Sequence, residues 1–260
     1  MTESVSTLNM FKPTLSECET IMFSLSPAKY DAFLKVLSLM ESDQPIYIRN
    51  SAVTQNINNS LAIAHTDLTP LLESQINLTI FDPKKYLRLL KVIKGDSDVY
   101  FISDDINKRI KVVNENINVT IPKEIEELTE NVELPDFTNF QPIGNPIELT
   151  SDHRNTIKVL KSDSDFVNLM IKDDQMVGIH IPETAIIIFD QFKGLNMDES
   201  SADLLLKTYC FLPITADKYN LFLGKDLTTN TYWLATICDT NITNINIYES
   251  LNEYSEDLLI

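Results

Sequence analysis

A twelve-residue phrase occurs twice in the first half of the chain: "SPAKYDAFLKVL" starts at Ser26 and "DPKKYLRLLKVI" at Asp82. Each copy opens with a residue suited to helix capping. A proline follows at the first helical position, where a missing N–H costs nothing. A tyrosine and a leucine-rich run come next. The segments around both copies alternate apolar and polar residues as half-buried strands do. "TIMFSLS" precedes the first helix, and "PIYIRN", "AVTQNI" and "LAIAHT" follow it. "QINLTIF" precedes the second, and "DVYFIS", "RIKVVN" and "INVTI" follow. Residues 19–121 therefore read as two consecutive β-α-β-β-β units, a duplication that fixes the plan of this half.

Residues 122–145 hold three prolines and six acidic residues without a sustained period, the pattern of a connector. The second half, residues 146–250, repeats the plan less faithfully. Asp152 is the expected cap of a third helix, "DHRNTIKVLK", and strands "DFVNLMI", "QMVGIHI" and "AIIIFD" follow. "TADKYNLFLGK" keeps the Lys-Tyr pair at Lys218 and Tyr219 and is read as a fourth helix, with strands "TYWLATI" and "ITNINIY" after it. The expected class is α+β, with four helices, about sixteen strands and mostly antiparallel sheets in two domains. Residues 1–18 form an extension, and residues 251–260 a tail.

The charge is unevenly placed. The chain of 260 residues has a formal net charge of -17, from 21 basic and 38 acidic side chains. The four helical segments, 26–40, 82–94, 151–162 and 215–225, hold 12 of the basic residues and 4 of the acidic ones. In the second, Lys84, Arg88 and Lys91 fall at i, i+4 and i+7, opposite Tyr86, Leu89, Leu90 and Ile93. Arg154, Lys158 and Lys161 repeat that spacing in the third. Lys29 and Lys35 of the first segment match Lys85 and Lys91, and Lys94 closes the second. Solvated helix faces normally mix signs for i,i+4 pairing. Parallel rows of one sign fit a polyanion better.

Other chemistries find less support. The histidines are His65, His153 and His180, and the five glycines form no phosphate loop. The acidic pairs at Asp96 and Asp98, Asp163 and Asp165, Asp104 and Asp105, and Asp173 and Asp174 read as turn residues before strands, not as metal ligands. Trp233 beside Tyr232 reads as strand core. No enzyme, cofactor or metal is expected. Cys18, Cys210 and Cys238 are too scattered for a disulfide framework and read as reduced and buried. No apolar run approaches the roughly 20 residues of a membrane span, and a cytoplasmic or nuclear location without membrane attachment is expected. A β-rich oligomeric structural protein of a phage, and an acidic protein-binding adaptor, remain as alternatives. The former would not need basic rows on helices, and a mass measurement in solution separates the latter from a ring.

With its tandem units, the stretch "INLTIFDPKKYLRLLKVIKGDSDVYFISDDINKRIKVV", its proline-marked connector and its basic helices in an acidic chain, the sequence resembles the DNA polymerase sliding clamps. The resemblance is to the two-domain, trimeric type of tailed phages and of proliferating cell nuclear antigen. It covers residues 19–250. It implies a homotrimeric ring of six domains whose helices line a hole for duplex DNA. A clamp loader and a DNA polymerase are the implied partners. On that resemblance the DNA-facing residues are Lys29, Lys35, Lys84, Lys85, Arg88, Lys91, Lys94, Arg154, Lys158, Lys161 and Lys218. Ring closure is assigned to edge strands at Ile117, Val119 and Ile121 of the first domain and Ile186 and Ile188 of the second. A partner-peptide pocket is assigned to Val53, Ile125, Leu128, Val132, Leu134, Phe137, Ile247 and Tyr248.

Overall fold

The computed structural model describes residues 11–72, 75–123, 132–161, 164–182, 185–188 and 202–253. Three helices and sixteen strands lie among them. The chain divides into two compact units, one of residues 1–53 and 67–131, the other of residues 54–66 and 132–260. The boundary thus departs from the expected domains in two places: a hairpin from the first half counts with the second unit, and the strand Phe140–Thr150 begins inside the expected connector.

In the first unit, β1 (Glu19–Leu25) leads into α1 (Pro27–Leu39) and β2 (Ile46–Arg49). β3 (Ala52–Ile57) and β4 (Ala62–Asp67) form the hairpin. After it come β5 (Leu78–Ile80), α2 (Pro83–Leu90), β6 (Val99–Asp104), β7 (Arg109–Val113) and β8 (Asn118–Pro122). Both β-α-β-β-β units are present as expected. Strands order as β1-β6-β7-β8 in an antiparallel sheet, and β2 pairs with β5. Phe23 of β1 stacks on Phe101 of β6 with ring centroids 4.3 Å apart, and Phe33 of α1 meets both edge-on. Each such ring removed from water contributes roughly 1.5–3 kcal/mol. Tyr30 donates its hydroxyl proton to the Leu90 carbonyl at 2.9 Å, tying α1 to the end of α2. Tyr86 donates to the Pro122 carbonyl at 2.6 Å, tying α2 to β8.

The caps follow the sequence in part. Asp82 accepts from the Lys85 N–H at 2.9 Å. Ser26 stands at the cap position by its backbone, but its side chain makes no cap bond. In α3 (Ser151–Leu160) the cap is Thr150 and not Asp152: its hydroxyl accepts from the His153 N–H, while His153 Nδ1 accepts from the Thr150 N–H at 3.1 Å. This closed box leaves Asp152 free to sit in the first turn.

The second unit carries β9 (Phe140–Thr150), α3, β10 (Val167–Lys172), β11 (Gln175–Ile181), β12 (Ala185–Ile188), β13 (Leu204–Thr208), β14 (Lys218–Asp226), β15 (Thr231–Asp239) and β16 (Asn244–Glu253). One set of strands runs β9-β14-β15-β16, with β4 added on β16. The other runs β12-β11-β10-β13 and meets β16 at Leu206 and Lys207. The expected fourth helix is absent: residues 218–226 form β14, buried at Tyr219, Leu221 and Leu223 with period two. Nine residues, 209–217, separate β13 from β14 and include Pro213, leaving no room for a turn plus a helix. Tyr219 locks the turn, donating to the Ile214 carbonyl at 2.9 Å and accepting from the Ala216 N–H at 2.8 Å.

The same turn is held from β16 by a buried carboxylate. Glu249, 2% exposed, accepts from the backbone N–H groups of Tyr209 and Cys210 at 2.6 and 3.2 Å and from the Thr208 hydroxyl. Burial raises its pKa above the ordinary 4.5, and those hydrogen bonds oppose the rise. A carboxyl that binds its proton more tightly when folded contributes stability that is fully present below the unfolded value and is lost as pH rises through the folded one. Glu249→Gln keeps an acceptor for both N–H groups and removes that titration. Urea unfolding should show the variant gaining on the parent as pH rises above 4.5. Glu249→Ala strands two buried donors and should lose about 1–3 kcal/mol for each. Equal pH dependence of Gln variant and parent would refute this account of the turn.

Candidate nucleic-acid interface

α2 presents its charges as the spacing predicts. Pro83, Tyr86, Leu87 and Leu90 are buried, while Lys84, Lys85, Arg88 and the C-cap Lys91 are exposed, and Lys94 extends the row past the helix. The regular helix is 8 residues, shorter than the segment read from the sequence. At 1.5 Å per residue it spans roughly 12 Å. No acidic side chain lies in its first turn, so the row carries one sign. In α1, Lys35 is exposed and Lys29 half-buried, with Asp31 exposed between them. That face is weaker than α2.

The second unit uses the matching triad differently. Lys158 is exposed, but Arg154 and Lys161 are half-buried. Arg154 Nε donates to the Leu212 carbonyl at 3.1 Å, and Lys161 Nζ to the Tyr209 carbonyl at 3.4 Å. Burial lowers the Lys161 pKa, against the attraction of Cys210, Glu249 and Asp165. Lys218 is not on a helix. It starts β14 and pairs with Glu148 of β9 at 3.3 Å, so its charge is already met. With that segment gone, the remaining three hold ten basic and three acidic residues.

The pocket residues divide between surface and core. Val53 and Ile247 are buried at 0% and 2% exposure and are core, not pocket, because each is an inward residue of an alternating strand. Ile125 and Leu128 lie outside the described residues. Val132 is half-buried and Leu134 exposed. Phe137 and Tyr248 do meet, with ring centroids 5.1 Å apart, and line an apolar cavity of about 390 Å³ in the second unit. Phe140, Ile143, Phe222 and Ala235 are also among its walls. Sequence reasoning missed these four. The available signal was Gly224 inside a strand, which marks a close approach. A Cβ there would lie 2.0 Å from the Phe140 ring, so only glycine lets that ring lie across β14.

Both nominated edges are strand edges. β8 pairs with β7 and β12 with β11, and neither has a second neighbour among the described residues. Ile117 and Val119 are half-buried, whereas Ile121 is 1% exposed and belongs to the core. Ile186 and Ile188 lie on β12 by their backbone.

The acidic pairs behave as turn residues where described. Asp104 accepts from the backbone and side-chain N–H groups of Asn107 at 3.0 and 2.8 Å, and Asp105 from Ser103 and Lys123. Cys210 and Cys238 are buried cysteines outside any disulfide, and Cys18, expected to be buried, is half-exposed. Burial pushes the Cys238 thiol up to about 12, an unreactive setting.

No protein-family model and no curated protein sequence matches the chain. Solved structures do. The A. fulgidus PCNA bound to the C-terminal region of FEN-1 is similar over 91% of this chain and 100% of its own, at 12% identity and a TM-score of 0.56. The PCNA2-PCNA3 complex from Sulfolobus tokodaii is similar over 88% of this chain and 98% of its own, at 9% identity and a TM-score of 0.52. The Helicobacter pylori beta clamp bound to a DNA ligase peptide is similar over 94% of this chain and 68% of its own, at 14% identity and a TM-score of 0.51. The chain has the sliding-clamp fold.

Proposed function

We propose that this protein is a DNA polymerase sliding clamp, a non-enzymatic ring that encircles duplex DNA and tethers the replicative polymerase. The observation that carries the reading is α2: five exposed cations, Lys84, Lys85, Arg88, Lys91 and Lys94, stand opposite a packed apolar face in a chain of net charge -17. Such a row meets phosphates without reading bases, which a sliding protein requires. The surrounding acidity deters DNA from other surfaces. A homotrimer closes by pairing β8 of one copy with β12 of the next, a heterologous contact of unlike edges. A clamp loader would open it. A host-cytoplasmic setting follows if the source is a bacterial virus, and a nuclear one if it is eukaryotic.

The apolar cavity around Phe137 and Tyr248 is the docking place for a short apolar segment of the polymerase. Solved clamps of this fold carry the C-terminal region of FEN-1 and a DNA ligase peptide, which supports such use.

Two experiments test these assignments separately. Arg88→Glu with Lys91→Glu shifts the charge by about four units per chain at exposed sites, costing the fold roughly 0.5 kcal/mol or less. Primer-extension products on a long template should shorten about tenfold or more at low salt, with assembly and polymerase binding retained; unchanged length with rings intact would refute the DNA-facing role of α2. For the pocket, Gly224→Ala displaces the Phe140 ring and Phe137→Ala removes a wall. Polymerase affinity measured by calorimetry should fall at least about tenfold, the cost of losing part of a buried anchor, while retention on DNA persists. Undiminished affinity in both variants would place the polymerase elsewhere.

A further inference from the structure

The short crossover between β13 and β14 borders α3. The turn of residues 209–217 leaves a cleft of about 260 Å³ against α3. Arg154, Lys158 and Lys161 line one side, and Ile157, Phe211 and Leu212 supply apolar surface that is itself buried. At roughly 30 Å³ per water, the space suits a small anion with part of its attached group. The corresponding triad on α2, Lys84, Arg88 and Lys91, is wholly exposed.

Three observations make the cleft more than a cationic surface. Leu212 holds a backbone φ of +51°, a left-handed conformation that is uncommon for a bulky residue. That conformation accompanies a carbonyl that accepts from Arg154 Nε at 3.1 Å, which fixes the guanidinium plane and leaves its two terminal amino groups as the remaining fork. Lys161 is desolvated against the same turn with a single long bond of 3.4 Å to Tyr209. The neighbouring Glu249 carboxylate is already committed to Thr208, Tyr209 and Cys210. A planar fork, an exposed ammonium and a half-buried ammonium over an apolar floor match the tetrahedral oxygens of a phosphoryl group. The apolar floor lowers the local dielectric and strengthens each contact.

We propose that this cleft is a discrete phosphate-binding site, one per chain, that seats a single phosphoryl group of a nucleic-acid strand. The inference rests on the reading of α3 as a nucleic-acid-facing helix. It gives the two units unlike tasks: α2 offers an open row along which phosphates pass, and α3 offers a seat in which one phosphate pauses.

The test is calorimetric titration of the full-length protein at constant ionic strength, with inorganic pyrophosphate as probe and a short duplex as competitor. Pyrophosphate should bind saturably at one site per chain and be displaced by duplex. Lys158→Ala and Arg154→Lys should each weaken it about tenfold, the second because the charge survives but the fork does not. Lys158→Arg should retain binding, and Lys12→Ala, an exposed cation elsewhere, should match the parent. Thermal unfolding of each variant separates lost affinity from lost fold. Absence of saturable binding, or affinity equal to the parent's in both of these variants, overturns the site; pyrophosphate binding that duplex does not displace overturns its assignment to a nucleic-acid strand. Because pyrophosphate is read without ring or template, its failure leaves the α2 test standing, and failure of the α2 test leaves the cleft standing.

Discussion

The first unit depends on the packing of aromatic side chains between helix and sheet. Phe23 and Phe101 stack across β1 and β6, Phe33 meets both from α1, and Tyr30 bridges from α1 to the end of α2. With Tyr86, Leu87 and Leu90 turned inward, the 3.6-residue period leaves Lys84, Lys85, Arg88 and Lys91 no place but solvent. The cationic row is therefore a consequence of the core. Tyr86 extends the coupling to the Pro122 carbonyl, so the helix that carries the charges also holds the edge strand β8.

The second unit keeps the strands and alters what lies between them. Tyr219 and Glu249 close the β13–β14 turn from two sides, one by hydroxyl and one by carboxylate. Both are buried polar groups fully engaged with backbone, an arrangement that rewards completeness because a stranded donor would be costly. The crossover they hold is short, and a cleft lies between it and α3. On the other side of β14, Gly224 allows Phe140 to lie against the strand and shape the apolar cavity with Phe137 and Tyr248.

Much of this was legible in the sequence because two local signals agreed. In the first half, a capping residue, a proline and a 3.6-residue apolar period all marked helices, and period-two alternation marked the strands, so the tandem units and the exposed face of α2 follow from the residues. The fourth helix failed where the signals disagreed. Lys218 and Tyr219 repeat the helix phrase, but Tyr219, Leu221 and Leu223 alternate, and pairing with both β9 and β15 decides for a strand. Ile247, Val53 and Ile121 failed for another reason: an apolar residue in a strand faces inward or outward by register, which one sequence does not fix. Arg154 and Lys161 keep the spacing of Lys84 and Lys91, and their burial comes from a turn fifty residues away.

The central claim is topological, that the protein holds DNA by surrounding it. It is tested most directly by loading the protein on a nicked circular plasmid, raising the salt, and then cutting the circle once. An encircling ring stays on the circle at salt that screens its phosphate contacts, because no contact needs to persist, and it leaves when the cut provides an end. Loss from circle and linear DNA at the same salt, with the cut making no difference, would show binding by contact alone and contradict the account.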